Sequence, residues 1–279
     1  MNVVERSGLY SLRHSYRKAG KVVTKEKFLG KEIPANIDQI KMLFIQSCWQ
    51  EELFLKLKRI KHNFQNEWKK YPSSVKRKNI IDASIAFTYN SNAIEGSTVT
   101  LEETEDLIRH KIAPHKPLAD VQETINHSKT FFEAVNSHKL SLSQLIEWHE
   151  QIFCQTKPDI AGKIRDYLVR VGEFIAPDWQ DLQKKLKEYF AWIERNKKMQ
   201  PVELAARAHY RFEKIHPFGD GNGRIGRLII AQILWHNGYP LLVIEYKGRK
   251  TYYNALRKDE NGFVQYFLRR YLSYNKRYV

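Results

Sequence analysis

The stretch GRIGRLIIAQILWHNG, residues 223–238, constrains the fold more than any other in the chain. It is apolar nearly all round. A helix without a polar face is buried on every side, so this one belongs inside, with other helices packed around it. Asn237 and Gly238 supply its stop. The stretch before it, PVELAARAHYRFEKI (residues 201–215), carries Ala205, Ala208, Phe212 and Ile215 at steps of three and four. That spacing predicts a second helix, with Pro201 in its first turn. The two are joined by the short glycine-rich link HPFGDGNG.

The rest of the chain provides helices to surround them. Ile40, Phe44, Cys48, Leu53, Leu57 and Ile60 recur near helical spacing and predict a helix from Asn36 to about Trp68, ended by YPSS (residues 71–74). A second follows from Val75 to about Ile94, with Ile81, Ile85, Thr88 and Asn92 near one face. Thr100 and Glu103 form a capping-box signature for a third. Further segments are expected at 119–136, 141–154, 178–196, 224–237 and 249–258, and at the C-terminal end. Two places read differently. LYSLRHSYRK and KVVTKEKFLG flank Ala19 and Gly20, which predicts an N-terminal β-hairpin within residues 8–29. DYLVRVGEFIAPD (residues 166–178) alternates apolar and polar around Gly172, like a second, smaller hairpin. The expected fold class is therefore all-α with β ornaments: a hairpin extension over residues 1–34 and one helical domain over 35–279.

The link HPFGDGNGRIGR, residues 216–227, resembles several phosphate loops and fails most of them. GNGRIG satisfies GxGxxG, but a helix rather than a strand precedes it, so the dinucleotide fingerprint is accidental. Walker A fails because Arg227 and Leu228 stand where Lys-Ser/Thr is needed. A calcium loop from Asp220 fails at Arg224 and Ala231. What remains is helix–loop–helix. The second helix offers free backbone N–H groups and the positive end of its dipole, and Gly221 and Gly223 let a phosphate approach that backbone. Arg224 and Arg227, three apart, reach from one side. Asp220 adds one carboxylate, suited to a Mg²⁺ that keeps waters and phosphate oxygens as its other ligands. His216 is the nearby group able to take a proton near neutral pH. Together these describe a Mg²⁺–polyphosphate site with a base.

The same twelve residues match HxFx(D/E)GNGRxxR at all eight defined positions, and on them the chain resembles the Fic family. The resemblance covers roughly residues 75–275 and implies an all-α domain that transfers AMP from ATP to a protein hydroxyl. Carried over, it makes His216 the base that deprotonates a Ser, Thr or Tyr hydroxyl, and Phe218 the inward anchor of the loop. Asp220 would hold Mg²⁺ between the α- and β-phosphates. Asn222, with the backbone of Gly221 and Gly223, would cradle the phosphates; Arg224 would grip the β-phosphate and Arg227 the γ-phosphate. Ser91, Glu95 and Gly96 match the family's inhibitory pattern (S/T)xxxE(G/N), upstream of the active motif as in class II members. The resemblance thus makes 75–96 an inhibitory helix beside a catalytic core at about 100–275. There Glu95 would pair with Arg227 and block the place the γ-phosphate needs. Residues 161–177 resemble the family's flap, whose edge, Leu168, Val169, Arg170 and Val171, would pair with an extended segment of the target. Tyr252 and Tyr253 resemble a pair near the adenine.

Other functions stay open at this stage. Some glutamate-bearing relatives remove AMP, which would make Glu95 catalytic. A different phosphate-containing group, such as phosphocholine, is disfavoured by the intact GNGR and both arginines. The balance of 47 Lys+Arg against 31 Asp+Glu, +16 net, attracts polyanions. With Arg13, Arg17, Lys18 and Lys21 on the first hairpin and RRYLSYNKRYV at the end, it suggests a nucleic-acid-binding regulator, but no nucleic-acid motif accompanies it. The target would be a protein, the chain itself included, and a homodimer is also open. Two distant cysteines without a CxxC pair, no apolar N-terminal segment and no run near 18 apolar residues lead to the expectation of a soluble cytoplasmic protein without a membrane span.

Overall fold

The structure is a computed structural model that describes residues 1–18, 21–137, 139–172 and 174–279. By contacts the chain divides into two compact units, residues 1–60 with Val279, and residues 61–278.

In the first unit, strands β1 (Asn2–Arg6), β2 (Leu9–Lys18) and β3 (Lys21–Gly30) form an antiparallel sheet in that order. The expected hairpin is β2 with β3; the Ala19–Gly20 turn expected between them lies outside the described residues. β1 is an addition to the sequence reading. It pairs with β2 through a two-residue turn at Ser7 (φ 52°) and Gly8 (φ 75°). Positive φ at both positions is what a type I′ hairpin turn requires. The sequence places the unit boundary at residues 34–35, a few residues after β3 ends. In the structure Leu12 forms one buried cluster with Phe44 and Cys48 of α1 (Ile37–Lys70), so the first part of that helix belongs to the same unit.

The second unit is built around α8 (Asn222–His236), where twelve residues are buried, Ile225, Leu228, Ile229, Ala231 and Leu234 completely. This is the helix without a polar face. It ends as expected. The Gly238 N–H (φ 72°) donates to Trp235 O and the Tyr239 N–H to Leu234 O, a Schellman stop. α7 (Pro201–Ile215) packs along α8, with α6 (Leu182–Arg195) and α10 (Glu260–Tyr274) against α7. α4 (Leu118–Asn136) packs on α8, on α2 (Ser73–Ile94) and on α5 (Leu142–Phe153).

The Thr100 capping box is present and opens α3 (Leu101–Glu105). That helix runs on into a π-helical turn, Asp106–His110, which the sequence did not announce. α9 (Arg249–Leu256) follows α8. The second hairpin is short: β4 (Arg170–Val171) pairs with β5 (Phe174–Ile175). No helix among the described residues is long and apolar enough to cross a membrane.

Candidate active site

The link between α7 and α8 is closed by its own side chains. α7 ends on His216, in the left-handed region at φ 51°, and α8 starts after Gly221 at φ 76°. A Cβ on Gly221 would run into the Phe153 ring, so the turn needs glycine twice over. The Asn222 side chain accepts from Phe218 N (3.0 Å) and donates to Phe218 O (2.8 Å). Both ends of that amide are therefore engaged within the loop. Phe218 is fully buried and stacks on His149, with centroids 4.0 Å apart. The Gly162 N–H donates to His149 Nδ1 (3.0 Å), which leaves the proton on Nε2 to donate to Asp220 O (3.0 Å). Burial lowers this imidazole to about 4, so it is neutral.

Each charged residue of the motif meets a partner from another element. Asp220 Oδ1 accepts from Gly221 N (2.6 Å), and Oδ2 accepts from Lys157 Nζ (2.6 Å). Burial pushes its carboxyl up, but Lys157, Arg224 and the Gly221 N–H outweigh this and hold it below its ordinary value. Arg224, 4% exposed, donates to Glu123 on α4 and lies over the Phe153 ring at 4.4 Å. Glu123 also takes Thr156 (2.9 Å) and Lys157 (3.4 Å).

Arg227, 2% exposed, meets α2 instead. Nε donates to Ser91 Oγ (2.9 Å), and Nη2 donates to Ser91 O (3.0 Å) and to Glu95 Oε1 (2.6 Å). Burial opposes its charge, yet Glu95 and the groups around it raise its pKa above the ordinary value. The same Glu95 oxygen lies where a Cβ of Gly223 would stand. The carboxylate thus sits over the first turn of α8, against the positive end of the helix dipole.

Gly96 explains how it gets there. Gly96, at φ 97°, donates to Ala93 O and Ser97 donates to Asn92 O, a second Schellman stop that leaves Glu95 as the capping residue just past the end of α2. Two buried guanidinium nitrogens remain without an acceptor among the described residues, Arg224 Nε and Arg227 Nη1. Such donors are costly unless an anion or water completes them, and both belong to the pair the sequence assigns to phosphates.

His216 is partly buried, and burial lowers its pKa. Its Nδ1 faces Glu213 O at 3.4 Å. A carbonyl only accepts, so Nδ1 carries the proton and the Nε2 lone pair is free. Arg165, 4% exposed, ties the flap to this residue. It donates to His216 O (2.8 Å), Tyr167 O (2.6 Å) and Pro177 O (2.7 Å). Of the expected docking edge, only Arg170 and Val171 lie in a strand; Leu168 and Val171 are exposed, and Val169 O accepts from Ala176 N. Tyr252 is buried and shares a hydrogen bond with His209 Nε2 (2.7 Å). Tyr253 is 39% exposed and donates to Ile94 O (3.2 Å), so of the two it alone has a face to offer a base.

Sequence reasoning missed Glu123, His149, Lys157, Arg165, His209 and Glu213. Each sits outside the contiguous motif and has no periodic signal of its own. Among the described residues no group of three His, Cys, Asp or Glu could hold a metal ion by itself.

The Fic/DOC family model matches residues 139–234, which contain the whole link. The chain is 32% identical over 199 residues to the protein adenylyltransferase Fic of Nematostella vectensis, covering 68% of this chain and 46% of that protein. It is 29% identical over 220 residues to protein adenylyltransferase fic-1 of Caenorhabditis briggsae, covering 75% and 43%. It therefore spans less than half the length of these curated relatives. Among solved structures, Fic-1 (residues 134–508) of C. elegans matches 88% of this chain and 77% of that one, with a TM-score of 0.72 at 24% identity, which speaks for the fold. A Fic domain containing signaling protein of Bacteroides thetaiotaomicron matches 80% of this chain and 96% of that one, with a TM-score of 0.70 at 25% identity. With the motif complete on its loop and the domain matched around it, this chain belongs to the Fic/DOC family.

Proposed function

We propose that the chain is a self-inhibited protein adenylyltransferase, which moves AMP from ATP to a Ser, Thr or Tyr hydroxyl of a protein. One observation carries the reading: the Glu95 carboxylate lies against Arg227 and over Gly223, in the cradle an anion would fill. A carboxylate in that cradle is a rival of phosphate. With Glu95 away, one N–H of Arg227 Nη2 becomes free for the γ-phosphate while the other stays on Ser91 O, and the unpartnered Nη1 joins it. Arg224 would take the β-phosphate through its unpartnered Nε while Glu123 holds its other end. The α8 N–H groups supply the remaining donors. Asn222 serves by shaping the turn. His216 Nε2 takes the hydroxyl proton as that oxygen attacks the α-phosphorus and pyrophosphate leaves. Catalysis here is positioning and charge neutralisation.

Asp220 fits a Mg²⁺ that borrows most of its ligands. It is a single ionised carboxylate with 44% of its side chain exposed, beside the phosphate cradle. A Mg²⁺ there would offset the charge developing on the phosphate oxygens. The unpaired Cys48 and Cys154 and the need for ATP suit the cytoplasm. Leu168 and Val171, exposed on the flap, suit a target segment added as a strand.

A second reading has support of its own. Glu95 Oε2 makes no hydrogen bond among the described residues, while Oε1 is held by Arg227. The free oxygen could orient a water that removes AMP from a modified protein.

The test uses α-labelled ATP with Mg²⁺ and intact-mass readout. Glu95→Gly is expected to gain label, by about tenfold or more over wild type, and His216→Ala in the same background to lose it. Equal labelling of all three would end the transferase reading. Release of AMP by wild type and not by Glu95→Gly would favour the second.

A further inference from the structure

Away from the phosphate loop, α2, the π-helical turn and α4 enclose a groove of about 850 Å³. Its apolar lining includes Ile80 and Ile81 of α2, Ile108 of the π-helical turn, and Ile125 and Phe132 of α4, all partly open to solvent. Lys76, Arg77 and Lys129 stand among them. Two further cations on this lining are already engaged. Arg109 is paired with Asp82 and Glu105, and Lys111 donates to Ile108 O. Lys76, Arg77 and Lys129 have no carboxylate within ion-pair distance among the described residues, and no acidic side chain lines the groove.

The groove is distinct from the phosphate site, and helical spacing shows why. On α4, Glu123 and His127 share one face; Glu123 meets Arg224 and His127 is buried against Thr88. Ile125, Lys129 and Phe132 lie at i, i+4 and i+7 on the other. α2 lends the groove its first turns, while Ser91 and Glu95 sit at its far end. A π-helical turn in the wall is a distortion that recurs at functional sites.

The chemistry on both counts is one-sided. Wet apolar side chains favour an apolar guest. Three cations on one groove without a counter-charge favour an anion. The volume falls in the range of about 300–1,000 Å³ that small-molecule sites occupy. We propose that this groove is a binding site for a small, freely diffusing amphipathic anion, an apolar chain or ring that carries a carboxylate or a phosphate. Its head would lie between Lys76, Arg77 and Lys129, and its apolar part over Ile80, Ile81, Ile108, Ile125 and Phe132. This does not depend on AMP transfer.

Calorimetric titration of the full chain with octyl phosphate, below its micelle concentration, tests it. Saturable binding at one site is expected, at least about tenfold tighter than that of octyl glucoside or inorganic phosphate. The double variant Arg77→Glu/Lys129→Glu changes two exposed side chains and is expected to keep the melting temperature while weakening octyl phosphate at least about tenfold. Equal binding of octyl glucoside or inorganic phosphate, or equal binding by the double variant, overturns the proposal. So does binding seen only with phosphatidylglycerol vesicles, which would make the groove a membrane contact. A wild-type dimer that the double variant dissociates would make it a contact between copies, and would overturn the proposal as well.

Discussion

His216 draws its suitability as a base from two local facts. The backbone carbonyl of Glu213 assigns the proton to Nδ1, and burial lowers the pKa of the ring. A lowered value means that the base is already neutral where an ordinary histidine would be half charged. In Glu95→Gly, the rate of AMP transfer should therefore be level from about pH 6.5 upward and decline only on further acidification. Asp220, held below its ordinary value, stays ionised throughout that range and adds no second limb. A rate that climbs between pH 7 and 8.5 would assign the base to another group. The motif residues were readable in the sequence because they are contiguous: twelve consecutive positions, the loop and the first turns of α8, carry the base, the carboxylate and both arginines. The partners that set their state were not. Glu123, His149 and Lys157 come from α4, α5 and the segment after α5 in turn, and a lone polar residue looks the same in sequence whether it is exposed or holds a buried arginine.

Two elements present their residues through local anchors, the Gly96 stop and the Arg165 guanidinium, and each can be tested by a substitution outside the reacting groups themselves. α2 delivers Glu95 because Gly96 ends it in the left-handed region at φ 97°. Alanine there has no steric neighbour within 4 Å, so its effect is conformational alone. Gly96→Ala should cost about 1–2 kcal/mol and loosen the end of α2. Transfer should then rise above wild type yet stay below Glu95→Gly, as read by α-label incorporation beside a urea midpoint. Unchanged transfer with lowered stability would separate the helix stop from the Glu95 contact. The flap depends on Arg165, whose guanidinium serves three carbonyls, those of His216, Tyr167 and Pro177. Arg165→Ala leaves these acceptors unmet and should cost about 3 kcal/mol. Arg165→Lys should recover only part of it, because an ammonium cannot reproduce the planar fork. Full recovery in thermal unfolding would show that charge alone is needed. The flap was legible as alternation around Gly172, but this anchor was not, since its three acceptors are backbone atoms that leave no trace in the sequence.

Across the whole molecule, what the sequence made legible is the set of helices whose apolar positions recur with helical period, and α8, which is apolar all round and buried on every side. What it left out follows from the same rule. β1 escaped notice because five residues before a Ser-Gly turn are too few to carry a pattern, and the π-helical turn because its apolar spacing differs little from that of an α-helix. Buried titratable groups escaped for a third reason, since burial is a property of the assembled core, and these groups govern how the fold responds to pH. Burial lowers His149 to about 4 and His209 to about 3, both values below the ordinary 6.5 of an unfolded chain. The stability this represents is complete above pH 6.5 and is lost on acidification toward 4 and 3, at about 1.4 kcal/mol per pH unit for each ring. Glu213 has the opposite sign. With Oε1 lacking a hydrogen bond and only 13% of the side chain exposed, burial raises it to about 7, against the pull of Arg227 and Lys214 and with Glu95 adding to the rise. A raised carboxyl opposes folding progressively from pH 4.5 to 7 and fully above. Acidification from 7 to 4.5 relieves this and offsets one of the two histidines. Glu213→Gln should therefore raise the urea midpoint at pH 8, leave it near wild type at pH 4.5, and steepen the loss between them. The same substitution lowering stability at pH 8 would mean that the Glu213 carboxylate is held by Arg227 as a partner, not merely enclosed beside it.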